Sequence, residues 1–150
     1  MVFESLTALF SRRSADLGHT PWRPVSKSDV ETFAELTGDD QWIHLNEDMA
    51  RRCSPFGQTI VHGALILALA PVFAGQLLRV GGARHMVNAG MDRVRFRQPV
   101  PVGASIRGVA KLTDVEDFSG GALARINLSI EIECVRRPAC TCEQRVIVHA

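Results

Sequence analysis

A chain of 150 residues is the length of one ordinary domain, and 46% hydrophobic with 22% charged residues lies in the globular range, which excludes a disordered or collagen-like polymer. Seventeen basic against sixteen acidic side chains leave a formal charge of +1, too weak a total field to recruit nucleic acid or a membrane surface.

Residues 1–13 place Phe3, Leu6, Leu9 and Phe10 on one side of a short amphipathic helix. Two arginines follow its apolar part, the reverse of a signal-peptide order. Residues 1–23 are read as an N-terminal extension. "TPWRPVS" (20–26) carries two prolines and reads as extended chain. Ser28 with Glu31 three residues later forms a capping-box pattern, Val30, Phe33, Ala34 and Thr37 share a helical face, and Gly38 is placed to end the helix. "TGDDQWIH" (37–44) follows that stop. Taken singly, Asp39 and Asp40 are ordinary turn residues and His44 an ordinary loop histidine. Asn46 is placed to cap a short helix over 47–52.

"SPFGQTIVHG" (54–63) is a turn-rich lead into an apolar segment. A helix from about Gly63 to Leu78 is hydrophobic nearly all round, which predicts burial on every side. Pro71 removes the bond to Leu67 and should bend it. Interrupted by Pro71, Gly75 and Gln76, the segment falls short of the roughly 18 unbroken apolar residues of a membrane span, so a cytoplasmic protein is expected.

Beyond residue 90 the period changes to alternation. "DRVRFRQPV" (92–100) puts Arg93, Arg95 and Arg97 on one strand face, read as solvated, opposite Val94 and Phe96. "ASIRGVAKLTDV" (104–115) is a weaker strand, turned through "EDFSGGAL" (116–123). In "RINLSIEIEC" (125–134), Ile126, Leu128, Ile130, Ile132 and Cys134 alternate with polar residues, a strong half-buried strand pattern. "TCEQRVIVH" (141–149) closes the set. Cys53, Cys134, Cys140 and Cys142 lack the paired spacing of a zinc site and are read as small buried thiols in a reducing compartment, so no metal is expected. Burial alone argues for an α+β domain in which a curved antiparallel sheet wraps one apolar helix, with a sheet edge suited to pairing a second copy.

The stretch "FAELTGDDQWIHLNEDMARRCSPFGQTIVHGALILAL" (33–69) and the later "VRFRQPVPVG" (94–103) resemble the MaoC-like (R)-specific enoyl-CoA hydratases, closest to their NodN-like branch. There G-D-x-Q-W-I-H and S-P-F-G-x-T-I-x-H-G are typical. The resemblance runs from roughly Pro24 to the C-terminus, with residues 38–63 carrying most of its specificity. It implies a hot dog fold over the chain as a single domain, a long buried central helix within an antiparallel sheet, and a homodimer whose sheets join.

It also implies (R)-specific, reversible hydration of a trans-2-enoyl-CoA to the (3R)-3-hydroxyacyl-CoA. The acyl-CoA is the partner, and no cofactor, nucleic acid or membrane is involved. By position in the motif, Asp39 and His44 are catalytic, Asp40 fills the variable slot, and the Gly63 N–H donates to the thioester oxygen. Gln41, where many relatives have asparagine, and His62 are placed beside the substrate. Gln41 is read as a hydrogen-bonding residue and His62 as a helix-entry residue supporting the oxyanion turn, although His62 competes with His44 for the catalytic role.

Imidazole suits the proton transfers because its unperturbed pKa lies near neutrality. A helix start suits the oxyanion because its N–H groups are unpaired. A serine found further along the family's central helix falls at or near Pro71 and is not carried over. A hot dog thioesterase and a non-catalytic acyl-binding subunit are the competing readings. The joint presence of Asp39, His44 and Gly63 favours hydration.

Overall fold

The computed structural model describes residues 1–150. In chain order, β1 (Val2–Phe3), α1 (Leu6–Ser11), β2 (Ala15–His19) and β3 (Arg23–Pro24) lead into α2 (Lys27–Thr37), α3 (Trp42–Leu45) and α4 (Glu47–Cys53). The apolar segment forms α5 (Gly63–Ala68) and α6 (Ala70–Leu77), then come β4 (Arg79–Val80), β5 (His85–Phe96), β6 (Ser105–Phe118), β7 (Gly121–Ile132) and β8 (Cys140–His149). The main sheet runs β2-β6-β7-β8-β5, with β3 also on β6 and every pair antiparallel. One face of this sheet packs on α5 and α6, the hot dog arrangement.

The inward face reads directly from alternation. Ile126, Leu128, Ile130 and Ile132 of β7 are buried, as are Cys140, Cys142, Val146 and Val148 of β8. Burial pushes the Cys142 thiol up to about 11 and raises that of Cys140. Cys53 and Cys134 are exposed, which corrects the expectation that all four thiols are buried. The helix approaches the sheet closely at Gly108 of β6, where an added Cβ would lie 2.5 Å from the Phe73 Cβ. That spacing only glycine allows.

The central helix departs from expectation in two ways. It is interrupted at Leu69, whose N–H is shared between the carbonyls of Leu65 and Ile66, and Pro71 sits in the first turn of α6. Nor is it buried on every side: Ala64, Ala68, Val72, Gly75 and Gln76 form an exposed stripe, with Val72 48% exposed. A single chain has no layer on that side.

The N-terminal extension is part of the body. β1 pairs in parallel with β4, β2 covers the edge of β6, and Phe3, Leu9 and Leu17 are buried in the main core. Only residues 6–11 of the expected 1–13 helix are helical. The cap of α2 also lies two residues earlier than predicted: the Ser26 hydroxyl accepts from the Asp29 N–H, and the Asp29 carboxylate accepts from the Ser26 N–H. No helix is long and apolar enough to cross a membrane.

Candidate active site

The crowded turn starts where α2 stops. Gly38 takes the left-handed conformation (φ 75°, ψ 9°) and donates to the Ala34 carbonyl, which turns the chain sharply and delivers Asp39 beside the start of α5. The Gln41 side-chain amide donates to the Asp39 carboxylate at 3.0 Å. That hydrogen bond holds the carboxyl below the usual carboxylate range; partial desolvation opposes it, and the two nearby imidazoles add to the lowering. Asp40 points elsewhere, onto an exposed surface with Glu31 and Glu35.

His44 lies on α3, not in irregular loop as the spacing suggested, and is 8% exposed. Its Nδ1–H donates to the Ile60 carbonyl at 2.6 Å. A carbonyl only accepts, so neutral His44 carries its proton on Nδ1 and presents the lone pair of Nε2. His62, only 1% exposed, donates Nε2–H to the Asp39 backbone carbonyl at 2.8 Å, leaving Nδ1 without a partner. The two imidazoles stack with centroids 3.8 Å apart, and Phe33 closes the far side of His62 at 5.1 Å. A carboxylate oxygen of Asp39 and one ring nitrogen from each histidine lie within 4.8 Å of one another. Trp42, despite its size, is 37% exposed, and His44 is the residue α3 turns inward.

Gly63 is the first residue of α5, so its N–H has no acceptor within the helix, and it donates to no other carbonyl. It stands in the wall of a cavity of about 350 Å³, with Ile60, Ile66, Phe96 and Val100 among the other walls. Asp39 and His44 are not among the residues lining it; they are linked to it through Ile60, whose carbonyl accepts from His44, and through His62, the neighbour of Gly63. The structure thus brings Asp39, His44 and His62 into one cluster, with Gln41 on the carboxylate and Gly63 at the adjoining cavity.

Two features escaped the sequence. One is the His62 bridge to the Asp39 backbone, a contact across 23 residues. The other is Phe96, whose ring lies 3.2–3.4 Å from where a Gly63 Cβ would stand. Alternation in "DRVRFRQPV" placed Phe96 opposite the arginines, but not its contact with Gly63.

The three clustered donors fit a shared metal poorly. Ligand lone pairs lie in the imidazole plane, and rings stacked with only 29° between planes aim them side by side. Those planes converge far beyond the roughly 2.0–2.1 Å of a zinc–imidazole bond. Proton transfer, by contrast, needs only a carboxylate and a ring nitrogen within reach of one water.

Residues 11–130 match the family model described as "MaoC like domain". The chain is 38% identical over 145 residues to 3-hydroxyacyl-thioester dehydratase Z of Mycobacterium tuberculosis (strain ATCC 25618 / H37Rv), covering 96% of this chain and 95% of that one. It is 36% identical over 148 residues to Nodulation protein N of Rhizobium leguminosarum bv. viciae, covering 96% and 91%. Among solved structures, the (R)-hydratase from A. caviae involved in PHA biosynthesis superimposes with a TM-score of 0.73 at 24% identity, over 90% of this chain and 93% of that one.

Proposed function

The chain belongs to the MaoC-like domain family, and on that premise we propose that it adds water reversibly to a trans-2-enoyl-CoA, giving the (3R)-3-hydroxyacyl-CoA. The observation that carries this reading is the convergence of the Asp39 carboxylate with a buried, oriented imidazole, linked through His62 to the free Gly63 amide in the cavity wall. Relatives named as a 3-hydroxybutyryl-CoA dehydratase and an (R)-specific enoyl-CoA hydratase support the same chemistry.

In this reading Asp39 and His44 hold one water. His44 Nε2 takes a proton as the water oxygen bonds to C3, and the π electrons move onto the thioester oxygen. The Gly63 N–H donates to that oxygen as it gains charge. The proton then passes to C2 from the same face, so H and OH add syn. Positioned proton transfer contributes roughly 10²–10⁴-fold, and one oxyanion donor roughly 2.7–4 kcal/mol. Gln41 holds Asp39 ionised and His62 anchors the Asp39 backbone, so both act through the carboxylate. Acid, base and amide all come from the chain, and the chemistry calls for no cofactor. Free thiols at Cys53 and Cys134 suit a reducing cytoplasm.

A second copy completes the site's surroundings. The exposed stripe on α5 and α6 and the outer edge of β5 both lack partners, and a homodimer would cover them. Ala68→Arg should therefore shift sedimentation from dimer to monomer; a wild-type monomer at micromolar concentration would refute the dimer.

Crotonyl-CoA consumption followed by loss of the enoyl absorbance, with thiol release measured in parallel, tests the reaction. The expected result is absorbance loss without free thiol. Thiol release at the same rate would instead assign a thioesterase, and tight binding with no product would assign a non-catalytic acyl-binding subunit.

A further inference from the structure

The outer face of the sheet carries a second concavity, about 760 Å³, with Arg93, Arg95, Arg97 and Lys111 on its walls against two acids, Asp16 and Glu143. The arginines are exposed, as expected of a solvated face, and together they line one groove. Register slips between Asp92, opposite Glu143, and Arg95, opposite Thr141, so that two residues face one on β8. Arg93 sits in this bulge with φ 53°, a left-handed conformation that a side-chain-bearing residue rarely holds. Bulges of this kind re-aim side chains beside functional sites. Here the bulge is followed by Arg95, paired with the outward Thr141, and by Phe96, paired with the buried Cys140.

The groove's four cationic side chains are only partly compensated by its two carboxylates. Glu143 is engaged by Arg93 at 3.2 Å and by Arg125 at 3.8 Å, while Arg95, Arg97 and Lys111 take part in none of the chain's ion pairs. Asp16 is occupied by the Gly18 N–H. Arg97 also stands in the wall of the apolar cavity that holds Gly63, so the basic groove and the cavity share a boundary.

We propose that this groove receives the phosphorylated nucleotide of coenzyme A, while the acyl thioester passes Arg97 and Phe96 to reach Gly63. The inference rests on the enoyl-CoA reading above. A guanidinium fork matches phosphate oxygens in two-point geometry, and an ammonium such as Lys111 adds a point charge. The groove lies within the size range of small-molecule sites. A nucleotide carrying several phosphates supplies the negative charge that the groove's own carboxylates do not.

The test uses the full chain and an Arg95→Gln/Lys111→Gln variant, which leaves Arg97 and the cavity intact. Adenosine 3′,5′-bisphosphate is titrated calorimetrically into both, and kcat/KM is measured for crotonyl-CoA and for crotonyl-S-pantetheine, which lacks the nucleotide. Wild type should bind the bisphosphate, and the variant at least tenfold more weakly. The ratio of kcat/KM for the CoA thioester over the pantetheine thioester should fall about tenfold, and the wild-type ratio should shrink as salt is raised. Equal bisphosphate affinity in the two proteins, an unchanged ratio, or inorganic phosphate binding as tightly as the bisphosphate would overturn the assignment. If wild type turns over neither thioester, the hydratase reading fails while calorimetry still decides the groove; an active enzyme with no bisphosphate binding removes the groove alone.

Discussion

Gly63→Ala places one methyl group at the point where the proposed oxyanion donor meets the cavity. The new Cβ would lie 3.2, 3.3 and 3.4 Å from three ring carbons of Phe96, against an ordinary carbon–carbon contact of about 3.5–4.0 Å. Phe96 is 56% exposed, so its ring can give the few tenths of an ångström required. The packing cost should stay below about 1 kcal/mol, partly offset by alanine's better helix propensity. For a chain of this length that keeps Tm within about 4 °C of wild type. Activity should respond far more. The methyl stands over the amide and holds the thioester oxygen away from it, so the loss should approach that of deleting the donor, roughly 10²–10³-fold in kcat/KM. Steady-state hydration of crotonyl-CoA beside a thermal melt reads both quantities. A variant with wild-type kcat/KM would show that the Gly63 amide is not used, and a Tm loss above roughly 10 °C would show that the Phe96 wall is rigid.

Gly108→Ala should behave oppositely, because its Cβ meets the backbone-proximal Cβ of Phe73 at 2.5 Å, where no side-chain rotation helps. Overpacking of about 1–3 kcal/mol should lower Tm by several degrees; an unchanged melt contradicts the close approach of helix and sheet. Ser26→Ala removes the cap of α2 and should cost about 1 kcal/mol at neutral pH. The Ser26 backbone N–H, which alanine keeps, and the Ser26 hydroxyl, which it lacks, hold the Asp29 carboxyl below its ordinary value, so the variant loses the hydroxyl's share. Its contribution is therefore present above the unfolded value near 4 and is lost as pH falls through the lower folded value. The gap between wild type and variant in urea unfolding should narrow below about pH 4, and a gap that widens there reverses the sign.

The inward face of β7 was legible because a half-buried strand repeats every two residues, and Ile126 to Ile132 keep that period without a break. Strands β2 and the first half of β5 were not. Only Leu17 is buried in "ADLGH", and that edge strand is held by backbone bonds to β6 that leave no mark in residue type. Ser26 and Ser28 each have an acid three residues on, so the pattern alone could not choose the cap; burial of Val25 at the turn's entry fixes it.

The spacing of Asp39, His44 and Gly63 was readable, but the contacts that orient them were not. The Ile60 carbonyl sets the tautomer of His44 from 16 residues away. Trp42 suggested burial by its size, yet it lies two residues before His44 on a four-residue helix, and so falls nearly opposite the side that turns inward.

The most direct test is a double-mutant cycle on crotonyl-CoA hydration with Asp39→Asn, His44→Gln and the pair. If both side chains serve one water, each single change should lower kcat/KM by roughly 10²–10⁴-fold, and the double variant should be no worse than the more damaging single one. Losses that multiply in the double variant, or either single variant keeping wild-type turnover, would contradict a shared water.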